Sequence, residues 1–329
     1  MAGYDLKEGR YEERNASEDE LWSAFACLFS SKSRKDTTYK YGFLKAIIDN
    51  LYNVDANLQL TFDQLFSKFA EIYWNLILKH RLRQKAPTAD NKESYLEQIL
   101  HEAETKYRII EPIPFESLTA SMMLEISHQV KTKCKRNVVG ALFEDTQKLF
   151  YSFSKKDEWL RINPVMYEFL CKHKVVIEKL NYYEWAKFLE RVNEDSVACK
   201  ILNKIDESSK RNNLAYYRKI LYEEFECKTC FYCGKPLNPD KIDVDHFVPW
   251  SFVKDDNLWN LVLACPSCNR KKNDKLPADK YLSDIMDRNQ HIITKSYNMD
   301  LTDYQAGKVC EVYNWAKVNG YDKIWTPGG

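Results

Sequence analysis

The stretch CFYCGKPLNPDKIDVDHFVPWSFVKDDNLWNLVLACPSCN, Cys230 to Asn269, begins on one C-x2-C pair and ends on another. Cys230-Phe-Tyr-Cys233 and Cys265-Pro-Ser-Cys268 stand about thirty residues apart, a paired-knuckle spacing that gives four thiolates to one tetrahedral Zn²⁺. Two residues between cysteines let one tight turn aim both sulfurs at the same ion. Gly234, directly after Cys233, permits the open backbone that such a turn needs. Four protein ligands leave no position open for substrate, so a zinc held this way is structural. Cys227 makes a further C-x2-C with Cys230, but the glycine follows the 230/233 pair and Cys227 falls at the end of a predicted helix. Cys230, Cys233, Cys265 and Cys268 are therefore the expected ligands. The competing reading, reduced core thiols, must explain two correctly spaced pairs at once. It is the default for the scattered Cys27, Cys134, Cys171, Cys199 and Cys310.

Between and beside the knuckles lie Asp245-His246, Asn260 in NLWNLVLAC, and Asn269 immediately after the last cysteine. With the cysteines, these residues resemble the HNH nuclease family, the ββα-metal fold, in its zinc-knuckle version; the resemblance covers about Lys228 to Pro277, a sixth of the chain. The DVDH-hydrophobic-VP…SF step and the Asn269-Arg270 step are also similar to the HNH domain of RNA-guided CRISPR nucleases, which lacks the cysteines. The resemblance implies that Asn260 hydrogen-bonds backbone in the loop between hairpin and helix and holds His246 in place. The last family position, often histidine, is Asn269 here, an amide oxygen in place of an imidazole.

The chemistry of phosphodiester cleavage asks for the same residue types. The substrate is anionic and its leaving alkoxide poor, so an activated water and a cation at the leaving oxygen are needed. An imidazole, with a class pKa of about 6.5, accepts the water's proton at neutral pH, which makes His246 the general base. Asp245 and Asn269 supply hard oxygen ligands that suit Mg²⁺ or Mn²⁺ rather than zinc. Neighbours on an extended strand point to opposite faces, so Asp245 and His246 share a site only if the strand twists or ends there; Pro249 is placed to end it. Asn269, Arg270, Lys271 and Lys272 then open a helix toward a phosphate, with Lys254 and Lys275 adding contacts to nucleic-acid backbone.

The rest of the chain has a different texture. Its 329 residues are longer than one typical domain, 44% are hydrophobic, and no apolar run approaches the length needed to cross a bilayer. The opening MAGYDLKEGRYEER lacks the basic-then-apolar plan of a signal peptide. A cytoplasmic protein with no membrane partner is expected. The formal charge of +1 says little, because nucleic-acid binding needs a local basic surface. Basic clusters occur at Lys32, Arg34 and Lys35; at His80, Arg81, Arg83 and Lys85; and at Lys131, Lys133, Lys135 and Arg136. Each is as well read as a solvated helix end or loop.

From about Ser17 to Phe225 apolar residues recur at helical spacing, which predicts an all-α half. Ser17 with Glu20 forms a capping box, and Thr61 with Asp63 opens a helix whose Leu65, Phe69, Trp74 and Leu78 share a buried face. Further helices are expected around 40–52, 92–106, 115–131, 164–191 and 213–225. Aromatics such as Tyr182, Tyr183 and Trp185 read as core rather than as base-stacking platforms. His80, His101, His128 and His173 lie on these helices without metal-spaced partners. The charged run from Asn203 to Asn213 is the best linker candidate.

The expectation is a mainly α protein. Residues 1–205 form a helical recognition, partner-binding or regulatory domain, 206–226 a linker and connecting helix, 227–277 a ββα-metal nuclease domain with structural zinc, and 278–329 a helical C-terminal extension. Its activity is metal-dependent endonuclease cleavage, with DNA favoured over RNA and nicking as the elementary event. Bacterial restriction or anti-phage defence follows by fold-level association. A homodimer or a protein partner would form through the helical domain. The rivals are an RNA-cutting nuclease using the same site and a non-catalytic zinc adaptor.

Overall fold

Ser17 accepts from the Glu20 amide while the Glu20 carboxylate accepts from the Ser17 amide, and this reciprocal cap starts helix α1 (Glu18–Phe29). The computed structural model describes residues 3–14, 16–33, 35–88, 93–209, 213–295 and 305–328. Arg34 of the first basic cluster, residues 210–212 of the expected linker and residues 296–304 of the C-terminal extension lie outside them. The chain divides into two compact units, Met1–Lys210 and Arg211–Gly329.

The first unit continues with α2 (Tyr39–Asp49), α3 (Phe62–Trp74), α4 (Tyr95–Lys106), α5 (Ala120–Asp145) and α6 (Pro164–Val192), followed by the short α7 (Asp195–Ala198) and α8 (Ile201–Asp206). Thr61 does cap α3, but its capping-box partner is Gln64. Leu65, Phe69, Trp74 and Leu78 are all buried as the periodicity requires. Tyr39, Phe43, Phe62, Phe66, Phe69, Tyr73 and Trp185 form one aromatic core. Tyr182 and Trp185 are buried, whereas Tyr183 is exposed.

Three departures from the sequence reading stand out. The half is not all-α: β1 (Glu8–Gly9), β2 (Gln59–Thr61), β3 (Tyr151–Ser154) and β4 (Trp159–Ile162) form an antiparallel sheet in the order β1-β3-β4-β2. All four residues of β3 are buried, so it shows none of the alternation that marks a half-exposed strand. Helix α5 starts after the expected 115–131 span has begun and runs on to Asp145, because its polar run is neutralised. Lys131 pairs with Asp63 and Glu158 at 2.6 Å, and Lys135 pairs with Glu158 at 2.6 Å. These lysines tie α5 to α3 and to the turn between β3 and β4. The expected linker also begins inside the first unit, where Ser208 and Ser209 are buried and Asn75 donates to the Ser208 carbonyl at 2.9 Å.

The second unit is built on a hairpin, β5 (Asp243–His246) with β6 (Leu261–Ala264), paired so that Asp243 faces Ala264 and His246 faces Leu261. A short helix α9 (Ala215–Lys219) precedes it, α10 (Trp250–Val253) lies in its connection, and α11 (Pro266–Lys272) follows, with Pro266 in its first turn. This is the ββα order. The C-terminal segment belongs to the same unit. It adds β7 (Leu276–Pro277), α12 (Tyr281–Lys295), α13 (Lys308–Val318) and β8 (Ile324–Trp325), with β7 and β8 parallel. Tyr313 donates to the Pro277 carbonyl at 2.6 Å, and Asn289 donates to the Trp259 carbonyl at 3.0 Å. The Asn289 bond ties α12 to the connection between β5 and β6, and the Tyr313 bond ties α13 to β7. No helix among the described residues is long and apolar enough to cross a membrane.

Candidate functional site

The sulfurs of Cys230, Cys233, Cys265 and Cys268 all lie within 4.8 Å of one another. A tetrahedron of Zn–S bonds of about 2.3 Å needs sulfurs roughly 3.8 Å apart, and Cys233 and Cys265 stand at 4.0 Å. The set fits zinc, and Cys227 is not part of it. Gly234 sits at φ +69° with nothing within 4 Å of an added Cβ, so its lack of a side chain serves backbone freedom alone. Burial pushes the Cys230 and Cys268 thiols above their ordinary range, and a dication among them reverses that preference by taking thiolate ligands.

Strand periodicity and helix periodicity meet at the second feature. Asp243 and Asp245 share one face of β5, and Asn269 and Lys272, three apart, share one face of α11. They pair in register. The Asn269 amide donates to Asp243 Oδ2 at 3.0 Å, and Lys272 Nζ lies 3.0 Å from Asp245 Oδ2. Tyr232 Oη donates to Asp245 Oδ2 at 2.5 Å. Burial, with Asp245 beside it, holds this phenol well above its ordinary range, so it stays a donor. Asp243, Asp245 and Asn269 thus line the strand–helix contact, with both oxygens of Asp245 met by Tyr232 or Lys272.

His246 points elsewhere. It is buried, and its Nε2 lies 2.7 Å from Asp256 Oδ1, on the connection that leaves α10. The carboxylate thus engages Nε2, and Nδ1 is the other ring nitrogen. Asn260 is fully buried and clamps the loop after His246 from both sides. Its Oδ1 accepts from the Val248 amide at 2.8 Å, and its Nδ2 donates to the Val248 carbonyl at 2.9 Å. The Phe247 amide donates to the Asn260 carbonyl at 2.7 Å.

The basic residues divide. Arg270 and Lys271 are exposed and Lys275 is half-buried. Lys272, expected to face phosphate, is instead fully buried between Asp245 and the His246 carbonyl, which its Nζ reaches at 2.7 Å. Lys254 is buried as well, its ammonium 5.2 Å from the centre of the Trp250 ring. Neither offers a surface contact to nucleic-acid backbone. Three participants escaped the sequence reading. Asp243 had a signal, the period of two from Asp245; Tyr232 and Asp256 had none beyond their place in the segment.

Residues 230–278 match the HNH endonuclease family model. This HNH segment holds the four cysteines, the hairpin and α11. It spans the smaller part of the chain, and the helical first unit lies outside it. No solved structure matches the chain.

Proposed function

We propose that the HNH segment is a metal-dependent endonuclease that hydrolyses DNA phosphodiester bonds one strand at a time. The observation that supports this reading is the buried His246–Asp256 pair at 2.7 Å, carried by the same strand that brings Asp243 and Asp245 against Asn269 and Lys272 of α11. Asp256 fixes the imidazole tautomer, so Nδ1 of His246 takes the proton of the attacking water. Asn260 holds the loop that carries His246. Asp245 and Asn269 would hold Mg²⁺ or Mn²⁺, with Asp243 orienting the Asn269 amide; when bound, that ion supplies charge stabilisation at the leaving oxygen. Arg270 and Lys271 contact backbone phosphates. The zinc holds the fold of the segment. A part in bacterial restriction or anti-phage defence rests on association with other HNH proteins that carry extra domains. The helical first unit would then recognise the target or a partner.

The test is incubation of the purified chain with supercoiled plasmid, linear duplex, single-stranded DNA and total RNA, in Mg²⁺ and in Mn²⁺, with product ends mapped. Nicked plasmid is the expected product, and His246→Ala should lower the rate on the order of 10² to 10⁴-fold while zinc content stays unchanged. Cleavage confined to RNA would move the substrate. Binding without cleavage in either metal would make the chain an adaptor.

A further inference from the structure

Tyr232 lies between Cys230 and Cys233 in sequence, and its hydroxyl reaches Asp245. The ring is fixed edge-on by three aromatic neighbours: Phe231 at 5.3 Å, Tyr281 at 5.6 Å and Trp325 at 5.2 Å, with interplanar angles of 86°, 89° and 90°. Its carbonyl accepts from Tyr281 Oη at 3.0 Å, and its own Oη donates to Asp245 at 2.5 Å. Lys272 reaches both oxygens of the same carboxylate, at 3.0 and 3.3 Å, sharing Oδ2 with Tyr232. Lys272 stands four residues after Cys268 on the helix that the second knuckle begins. Each knuckle therefore delivers one buried side chain onto Asp245.

We propose that Tyr232 is a positioning residue that ties the four-thiolate site to Asp245, so that the zinc knuckle sets the geometry in which this carboxylate meets a catalytic divalent cation. The inference rests on the reading of Asp245 as a ligand of that cation. A carboxylate turns easily about its last bond, and donors on a rigid frame remove that freedom before a metal arrives. Tyr232 has only two side-chain torsions, and its ring cannot swing among three perpendicular neighbours. Any displacement of the Cys230–Cys233 turn is passed to Asp245 through one hydroxyl.

Tyr232→Phe removes the hydroxyl and leaves the ring. Zinc content and the thiolate charge-transfer band of the Co²⁺-substituted chain should stay at wild-type values, while the lost hydrogen bond lowers the melting temperature modestly. Mn²⁺ affinity, read from the free-ion electron paramagnetic resonance signal, should fall about three- to tenfold, and the Mg²⁺ concentration for half-maximal cleavage should rise to match. Mn²⁺ binding equal to wild type would overturn the proposal. A second measurement needs no variant: exchanging zinc for the larger Cd²⁺ in the wild-type chain should lower Mn²⁺ affinity, and equal affinity in the two forms would also overturn it. If wild-type protein bound no Mn²⁺ beyond its thiolate metal, Asp245 would not be a ligand and the functional reading itself would fall.

Discussion

Each unit of this chain buries a lysine against an aspartate, and the two pairs differ in what surrounds them. In the first unit Lys45 and Asp49, both fully buried, meet at 2.9 Å one turn apart on α2. Tyr182 and Ser209 close the pair with hydrogen bonds of 2.8 Å, to Lys45 and Asp49 respectively, and the Glu178 carboxylate stands 3.8 Å from the ammonium. Tyr182 in turn donates to Glu178 at 2.7 Å, so these contacts join α2, α6 and the segment after α8. In the second unit Lys272 and Asp245 come from a helix and a strand, and beside them stand a histidine paired to a carboxylate, a second aspartate and an asparagine amide. A buried ion pair by itself says nothing about function. Its neighbours do: the first pair is joined by Tyr182, Ser209 and Glu178, and the second borders the residues to which the proposed function assigns a proton transfer and a cation.

The sharpest way to break the comparison is to remove what organises the second unit. Cys265→Ser should abolish zinc binding and unfold the HNH segment, with cleavage lost as a consequence, because structural zinc contributes on the order of 10–16 kcal/mol in zinc-finger peptides against a typical domain stability of about 5–15 kcal/mol. Metal analysis and circular dichroism read this directly, and full zinc occupancy in the variant would refute the four-thiolate site. Acid should act in the same direction, since the thiols must lose protons to bind and their affinity falls with pH.

The pair in the first unit predicts a smaller, purely structural effect. Asp49→Asn leaves Lys45 buried without its counter-charge and should lower stability by about 3–5 kcal/mol without changing the Mg²⁺ dependence of cleavage. Burial opposes ionisation of Asp49, but Lys45, Lys68 and Lys174 prevail and hold its pKa below the ordinary 3.8. A depressed folded pKa means the stabilisation is present above the unfolded value and is lost as pH falls through the folded one. The gap between wild type and variant in denaturant melts should therefore be widest near neutral pH and close below about pH 3.8. A gap constant down to pH 2 would show that the charge of Asp49 is not what stabilises the fold.

The smallest effect is expected at the exposed basic residues. Arg270→Ala and Lys271→Ala should each weaken DNA binding roughly uniformly across sequences and lower the salt slope by about 1, with zinc and stability unaffected. The contrast with buried Lys272 is the point. Substituting Lys272 should disturb folding of the segment, and a Lys272 variant that behaved like Lys271→Ala would contradict its burial.

What the sequence determined by itself is local. The C-x2-C spacing fixes which sulfurs one turn can bring together, a serine with a glutamate three residues on fixes a helix start at Ser17, and a 3.6-residue period fixes which face of α3 is buried. Distances along the chain set these features, so they are legible before any fold is known. Asp245, His246, Asn260 and Asn269 stand out in the sequence as residue types suited to one chemistry, but which of them meet was not written there. The tertiary structure alone decided the rest. That Asp256 meets His246, that Tyr232 meets Asp245, that Lys272 is buried while Lys271 is exposed, and that four short strands cross a helical unit all follow from contacts between segments distant in sequence. Burial removes the alternation that would announce β3, and a partner ten or thirteen residues away carries no periodic mark. Pairing and burial belong to packing, where one lysine at the helix surface and its neighbour in the interior have the same formula and different environments.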